Sequence, residues 1–151
     1  MAIEPRYREA GPSDVEALLP LLRGFYAESG FAWDPGVTAA LGSLLADGSL
    51  GRVYLVEAGA GPIGYVAICF GFSLEFRGRD AFVDELYVAP EHRGRGYGRR
   101  ALRFAVDEAR RLEVRALHLE VAGHNERAKR LYRSLGFAKR SHPLMSLRLD
   151  G

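Results

Sequence analysis

A chain of 151 residues, 48% hydrophobic and 26% charged, has apolar surface for one core and too little length for a second. That predicts a single domain over residues 1–151 and excludes disordered, collagen-like and disulfide-scaffold classes. The formal net charge of +2 hides an asymmetry, because residues 1–90 carry 6 basic and 12 acidic side chains whereas residues 91–151 carry 15 and 7. A basic second half fits an anionic ligand, and it fits solvated helix faces equally well. Only Lys129 and Lys139 are lysines; the remaining basic residues are arginines, whose planar fork suits phosphate and carboxylate. The lone cysteine, Cys69, excludes an intrachain disulfide and a cysteine-rich zinc site, and its place in the apolar run Tyr65–Phe70 reads as a small buried hydrophobe. Met1–Tyr7 lacks an apolar stretch and no window reaches membrane-spanning length, so the expectation is a cytoplasmic protein with no membrane partner.

In chain order, a short strand near Ile3–Arg8 precedes Ser13-Asp14-Val15-Glu16, a capping-box pattern that opens an amphipathic helix with Leu18, Leu19, Leu22, Phe25 and Tyr26 on one side and Pro20 as a possible kink. Gly30-Phe31-Ala32-Trp33 is an aromatic connector, and Asp34-Pro35 opens a second helix through Leu41, Leu44 and Leu45. Strand patterns over Arg52–Glu57, Ile63–Phe72 and Asp80–Val88 predict an antiparallel meander. A glycine-rich segment, Arg93–Gly98, leads into a helical pattern with Leu102, Ala105, Val106, Ala109 and Leu112. Ala116–Val121 reads as a strand, Asn125–Leu135 as a helix ended by Gly136, and Phe137–Arg140 and Leu144–Leu149 as two closing strands. The order predicts an α+β domain on one mixed, mostly antiparallel sheet flanked by about four helices.

The chemistry concentrates between Val83 and Arg100. A strand enters a loop with glycine at 94, 96 and 98, and the loop enters an arginine-rich helix. Backbone N–H groups at such a helix start converge on an anion, and the helix dipole favours negative charge. The alternative is a flexible turn. A dinucleotide G-x-G-x-x-G fails, because Arg99 or Ala101 stands where its last glycine must be, and no G-K-[ST] follows a glycine at Walker spacing. Farther on, Asn125 opens a helix, Tyr132 lies seven residues later, and Glu120 precedes them on a strand pattern. Each has a plain reading, as N-cap, core aromatic and solvated carboxylate.

Taken together, these residues resemble the GNAT superfamily of acyl-CoA-dependent N-acyltransferases. The hallmark [QR]-x-x-G-x-[GA] corresponds to Arg93-Gly94-Arg95-Gly96-Tyr97-Gly98, after a strand ending Leu86-Tyr87-Val88. A second hallmark corresponds to Leu119-Glu120-Val121, Asn125, Ala128, Leu131-Tyr132 and Gly136-Phe137. The resemblance implies a sheet splayed open between the strands of Asp80–Val88 and Ala116–Val121, with acetyl-CoA entering the gap. It further implies that the backbone of Leu86, Tyr87 and Val88 pairs with the pantetheine arm. The segment Arg93, Gly94, Arg95, Gly96, Tyr97, Gly98 and Arg99 would bind the pyrophosphate, chiefly through main-chain amides. Asn125 would bond the pantetheine arm, and Tyr132 would be general acid to the leaving thiolate, with direct attack in a ternary complex.

An amine acceptor is protonated at neutral pH and must lose a proton before it attacks a thioester, for which a carboxylate base is suited. Three compete: Glu85, Glu120 and Asp84. Strand alternation sets Asp84 and Glu85 on opposite faces, so at most one of them would point to the acceptor. The four histidines, His92, His118, His124 and His142, have no metal-pair spacing, and no metal is expected. The aromatic residues Phe25, Tyr26, Phe31 and Trp33, with Glu28 and Glu75, would suit a small-molecule amine acceptor, though surface exposure explains them as well. Other readings are a protein N-terminal or lysine acetyltransferase and a non-catalytic CoA-binding sensor. Nucleic-acid binding is not expected, since no recognition motif is present and aromatics are not interleaved with the arginines. A homodimer follows only by analogy with the family.

Overall fold

The computed structural model describes residues 3–150, which divide into two compact units, 3–119 and 120–150. The first is built on a five-stranded sheet of order β1-β2-β3-β4-β5, comprising β1 (Arg6–Glu9), β2 (Gly51–Ala58), β3 (Gly61–Ser73), β4 (Gly78–Val88) and β5 (Ala116–His118). Every neighbouring pair is antiparallel except β4 and β5, which are parallel. This is the expected mixed, mostly antiparallel and open sheet.

Helices α1 (Val15–Ser29) and α2 (Gly36–Ala46) cover one face, where Leu18, Leu22 and Leu41 pack on Val53, Leu55, Tyr65, Ala67 and Tyr87. The α1 helix runs unbroken through Pro20. Helix α3 (Tyr97–Arg111) buries Ala101, Leu102, Ala105 and Ala109, and its Phe104 stacks on Tyr7 and meets the edge of Tyr54. The second unit contains α4 (Glu126–Ser134).

Four boundaries differ from the sequence reading. Asp14, rather than Ser13, organises the approach to α1: its carboxylate accepts from Gly11 N–H at 2.8 Å and from the Arg8 guanidinium while its own N–H donates to Gly11 C=O at 2.9 Å, so the box closes between Gly11 and Asp14 around the 3-10 turn Pro12–Asp14. The first strand begins at Arg6, where pairing with Glu57 starts. The Ala116–Val121 strand stops at His118, because its ladder with β4 covers only Asp80–Phe82. Finally, residues 137–150 form no strands. Leu144, Met145, Leu147 and Leu149 lie exposed, and an alternating pattern with no neighbouring ladder to bury its apolar side does not hold an extended pairing.

Candidate active site

The glycine-rich segment becomes the turn between β4 and α3. A short 3-10 turn, Pro90–His92, leads into it, and Gly94 and Gly96 adopt φ of +79° and +83°. Only glycine takes up that left-handed backbone without strain, and it is what aims the chain into α3. No side chain caps α3, while Arg100 N–H reaches Gly96 C=O at 3.1 Å. The first-turn amides are therefore available to an external anion. Gly94, Arg95, Gly96 and Arg99 are exposed, whereas the Tyr97 ring is buried and donates its hydroxyl to Ile3 C=O at 2.9 Å, leaving Tyr97 only its backbone for a ligand.

The side chain of Arg93 turns inward. Its Nε donates to Val88 C=O at 2.9 Å, its Nη2 pairs with Glu28 on α1 at 2.5 Å, and its guanidinium lies over the Tyr87 ring. It braces the turn against α1.

Strand β4 parts from β5 after Phe82, so among the described residues Val83–Val88 has a partner strand on one side alone. The bond from Ala89 N–H to Ile63 C=O, at 2.8 Å, sets the parity of the β3–β4 ladder. By antiparallel alternation Glu85 and Tyr87 turn their peptide groups to β3, and Leu86 and Val88 turn theirs to the open side. With Val88 C=O held by Arg93, Leu86 turns both of its backbone groups to the side without a partner strand among the described residues.

On the face covered by α1, acidic and aromatic side chains meet. The β3–β4 register slips between Ala67 and Ile68: Ala67 faces Glu85, Ile68 faces Val83, and Asp84 is the additional residue of a β-bulge. Strict alternation therefore fails here, and the expectation that Asp84 and Glu85 take opposite faces is corrected. The negative charge of Asp84 reaches Glu85, Tyr26, Tyr65 and Cys69.

Tyr65 donates its hydroxyl to Glu85 Oε1 at 2.7 Å, and Tyr26 on α1 lies within reach of the same carboxylate's charge. Burial pushes the Glu85 carboxyl above the usual carboxylate range, with the Tyr65 bond opposing and Asp84 reinforcing the rise. Burial likewise raises Tyr26 to about 12 and drives Tyr65 higher still, so both phenols remain protonated donors. Phe25 stands edge-on to Tyr65, Tyr87 and Tyr26; Tyr26 meets Trp33, over which Arg23 lies. Cys69, pushed up to about 11 by burial and the two carboxylates, stays a thiol and is no nucleophile at neutral pH.

The sequence reading placed Tyr26 in an acceptor lid and took Tyr65 as one more residue of an apolar run. The signal for Tyr65 was a lone hydroxyl among Val66, Ala67 and Ile68, on a strand that must pair with one carrying Asp84-Glu85.

In the second unit, Asn125 is the N-cap of α4, its Oδ1 accepting from Ala128 N–H at 3.1 Å, which leaves its amide NH₂ for another partner. Tyr132 is half-buried with its ring edge against Phe137, and burial raises its phenol, so it holds its proton at neutral pH. Glu120 lies beyond the end of β5, exposed in irregular chain. Among the described residues no group of three His, Cys, Asp or Glu could hold a metal ion; His118 pairs with Asp80 at 3.1 Å.

These features combine an open, mostly antiparallel sheet with a glycine turn whose amides are uncapped. Residues 17–137 match the acetyltransferase (GNAT) family, and the chain belongs to it. It is 31% identical to streptothricin acetyltransferase of Streptomyces lavendulae, covering 87% of this chain and 80% of that protein. Over 58% of this chain and 52% of the other, it is 37% identical to L-methionine sulfoximine/L-methionine sulfone acetyltransferase of Salmonella typhimurium. Among solved structures, an integron cassette protein from the mobile metagenome of Cole Harbour salt marsh superposes with a TM-score of 0.84 at 34% identity, covering 96% of this chain and 91% of its own.

Proposed function

We propose that the protein is an acetyl-CoA-dependent N-acetyltransferase whose acceptor is a small-molecule primary amine. The observation that carries this reading lies within one unit: β4 offers an open peptide edge at Leu86, ends in a glycine turn with uncapped amides, and displays Glu85 among aromatic rings beside that edge. The two named relatives are acetyltransferases of streptothricin and of L-methionine sulfoximine and sulfone, which supports a small-molecule acceptor.

In this reading the amides of Gly94 to Arg99 hold the pyrophosphate, and Leu86 pairs with the pantetheine arm. Asn125 gives its NH₂ to the same arm. A carboxylate takes a proton from the acceptor ammonium, with Glu85 preferred here because of its setting, and Asp84 and Glu120 as the other candidates. The freed amine nitrogen attacks the thioester carbonyl carbon, the C–S bond breaks, Tyr132 gives its proton to the departing sulfur, and the nitrogen's second proton leaves as the amide forms, restoring the phenol. General acid–base groups of this kind contribute about 10²- to 10⁴-fold each.

Isothermal titration with acetyl-CoA, followed by thiol release against polyamines, amino acids, aminoglycosides and peptides with free N-termini, tests the reading. Binding with turnover of a small amine is expected, and Gly96→Glu should abolish binding by setting a carboxylate in the phosphate turn. Absence of binding at millimolar acetyl-CoA would overturn it, turnover confined to peptides would replace the acceptor class, and binding without any turnover would point to a sensor.

A further inference from the structure

We propose that Tyr65 is a positioning residue that keeps the Glu85 carboxylate ionised and oriented as the proton acceptor of the reaction; this rests on the acetyltransferase reading above. Glu85 stands on a strand face closed over by α1, where losing water favours the neutral acid. A hydrogen-bond donor to the charged form opposes that loss. Tyr65 on β3 faces β4 through the ladder and reaches Oε1 at 2.7 Å.

The donor is anchored independently of Glu85. Tyr65 is 1% exposed and packed in the core against Tyr87 and Phe25. A fixed O–H group narrows the range of rotation open to the carboxylate, and a bond to the charged form lowers its proton affinity. The other titratable groups around Glu85 are Asp84 beside it on β4, which opposes ionisation, the protonated phenol of Tyr26 on α1, and the neutral Cys69 on β3; α2 carries no titratable side chain. The Tyr65 phenol transfers no proton in this scheme. The proton from the acceptor moves to Glu85, and Tyr65 keeps its own.

The test reads the carboxyl directly and then through turnover. In protein labelled with ¹³C at the Glu side-chain carboxyls, the Glu85 signal is assigned by its loss in Glu85→Gln, and its titration midpoint is followed in wild type and Tyr65→Phe. The phenylalanine keeps the ring and removes the donor, so the midpoint is expected to rise by about one pH unit, the size of one hydrogen bond to a charged group. The acid limb of kcat/KM should rise with it while acetyl-CoA affinity stays unchanged. An unmoved midpoint would overturn the positioning role. A shifted midpoint with an unmoved acid limb would overturn Glu85 as the proton acceptor. Failure of the wild type to turn over any amine would overturn the acetyltransferase reading while leaving the titration result intact.

Discussion

Glu85 sits where a carboxylate is costly. Because burial raises its pKa above that of the unfolded chain, between the two values the native state holds a proton that the unfolded state has released, and above both the native chain carries the costly ionised form. Its contribution is full below the ordinary glutamate range of about 4.3 and is lost as pH rises through the folded value. Replacing it by Gln should therefore raise Tm at pH 7 to 8 and leave Tm near wild type at about pH 4; equal gains at both pH values would show that ionisation is not the cause. Such a trade of stability for a charged group fits a functional residue. Tyr132 obeys the complementary logic, since a general acid must still hold its proton, and burial ensures that it does. Tyr132→Phe is expected to lower kcat by about 10²-fold or more with acetyl-CoA affinity kept, and an unchanged kcat across pH would remove its acid role.

At the scale of elements, the site depends on how closely β3 and β4 pair. A Cβ at Gly64 would run into Tyr87 C=O and come within 3.1 Å of Val88 Cα, both of them backbone that cannot step aside. Gly64→Ala should destabilise the protein by about 1–3 kcal/mol in urea unfolding, and acetyl-CoA affinity should drop with it, because the same strand carries the open peptide edge. Most of this architecture was legible in the sequence, where period-2 runs marked β2, β3 and β4 and glycine spacing marked the turn before α3. The bulge at Asp84 was not, because a register slip depends on what lies across the ladder and leaves no trace in one strand's alternation. The closing strands over 137–149 were overread for a related reason: alternation shows which side chains would share a face, but it does not supply the neighbour. The Tyr65–Glu85 contact joins residues on different strands and needed the register before it could be seen.

For the whole molecule, the charge asymmetry between the acidic first half and the basic second half has a local form. Arg95 and Arg99 stand at the exposed turn, and Asp84 and Glu85 lie on the strand before it. Arg110 and Arg111 lie at the far end of α3, paired with Asp107 and Glu108, as on an ordinary solvated helix. If the turn arginines assist the phosphates, acetyl-CoA affinity should fall several-fold between 50 and 500 mM salt, as screening shortens from about 14 to about 4 Å. An affinity that ignores salt would assign the whole basic half to solvation. The parting of β4 from β5 has one more consequence. An unsatisfied strand edge is a template on which any extended chain can settle, and stray peptide segments use it to start aggregates. Here the exposed edge is the place where the co-substrate would lie, so occupancy would double as protection: preparations kept with CoA should scatter less light on concentration than those stripped of it.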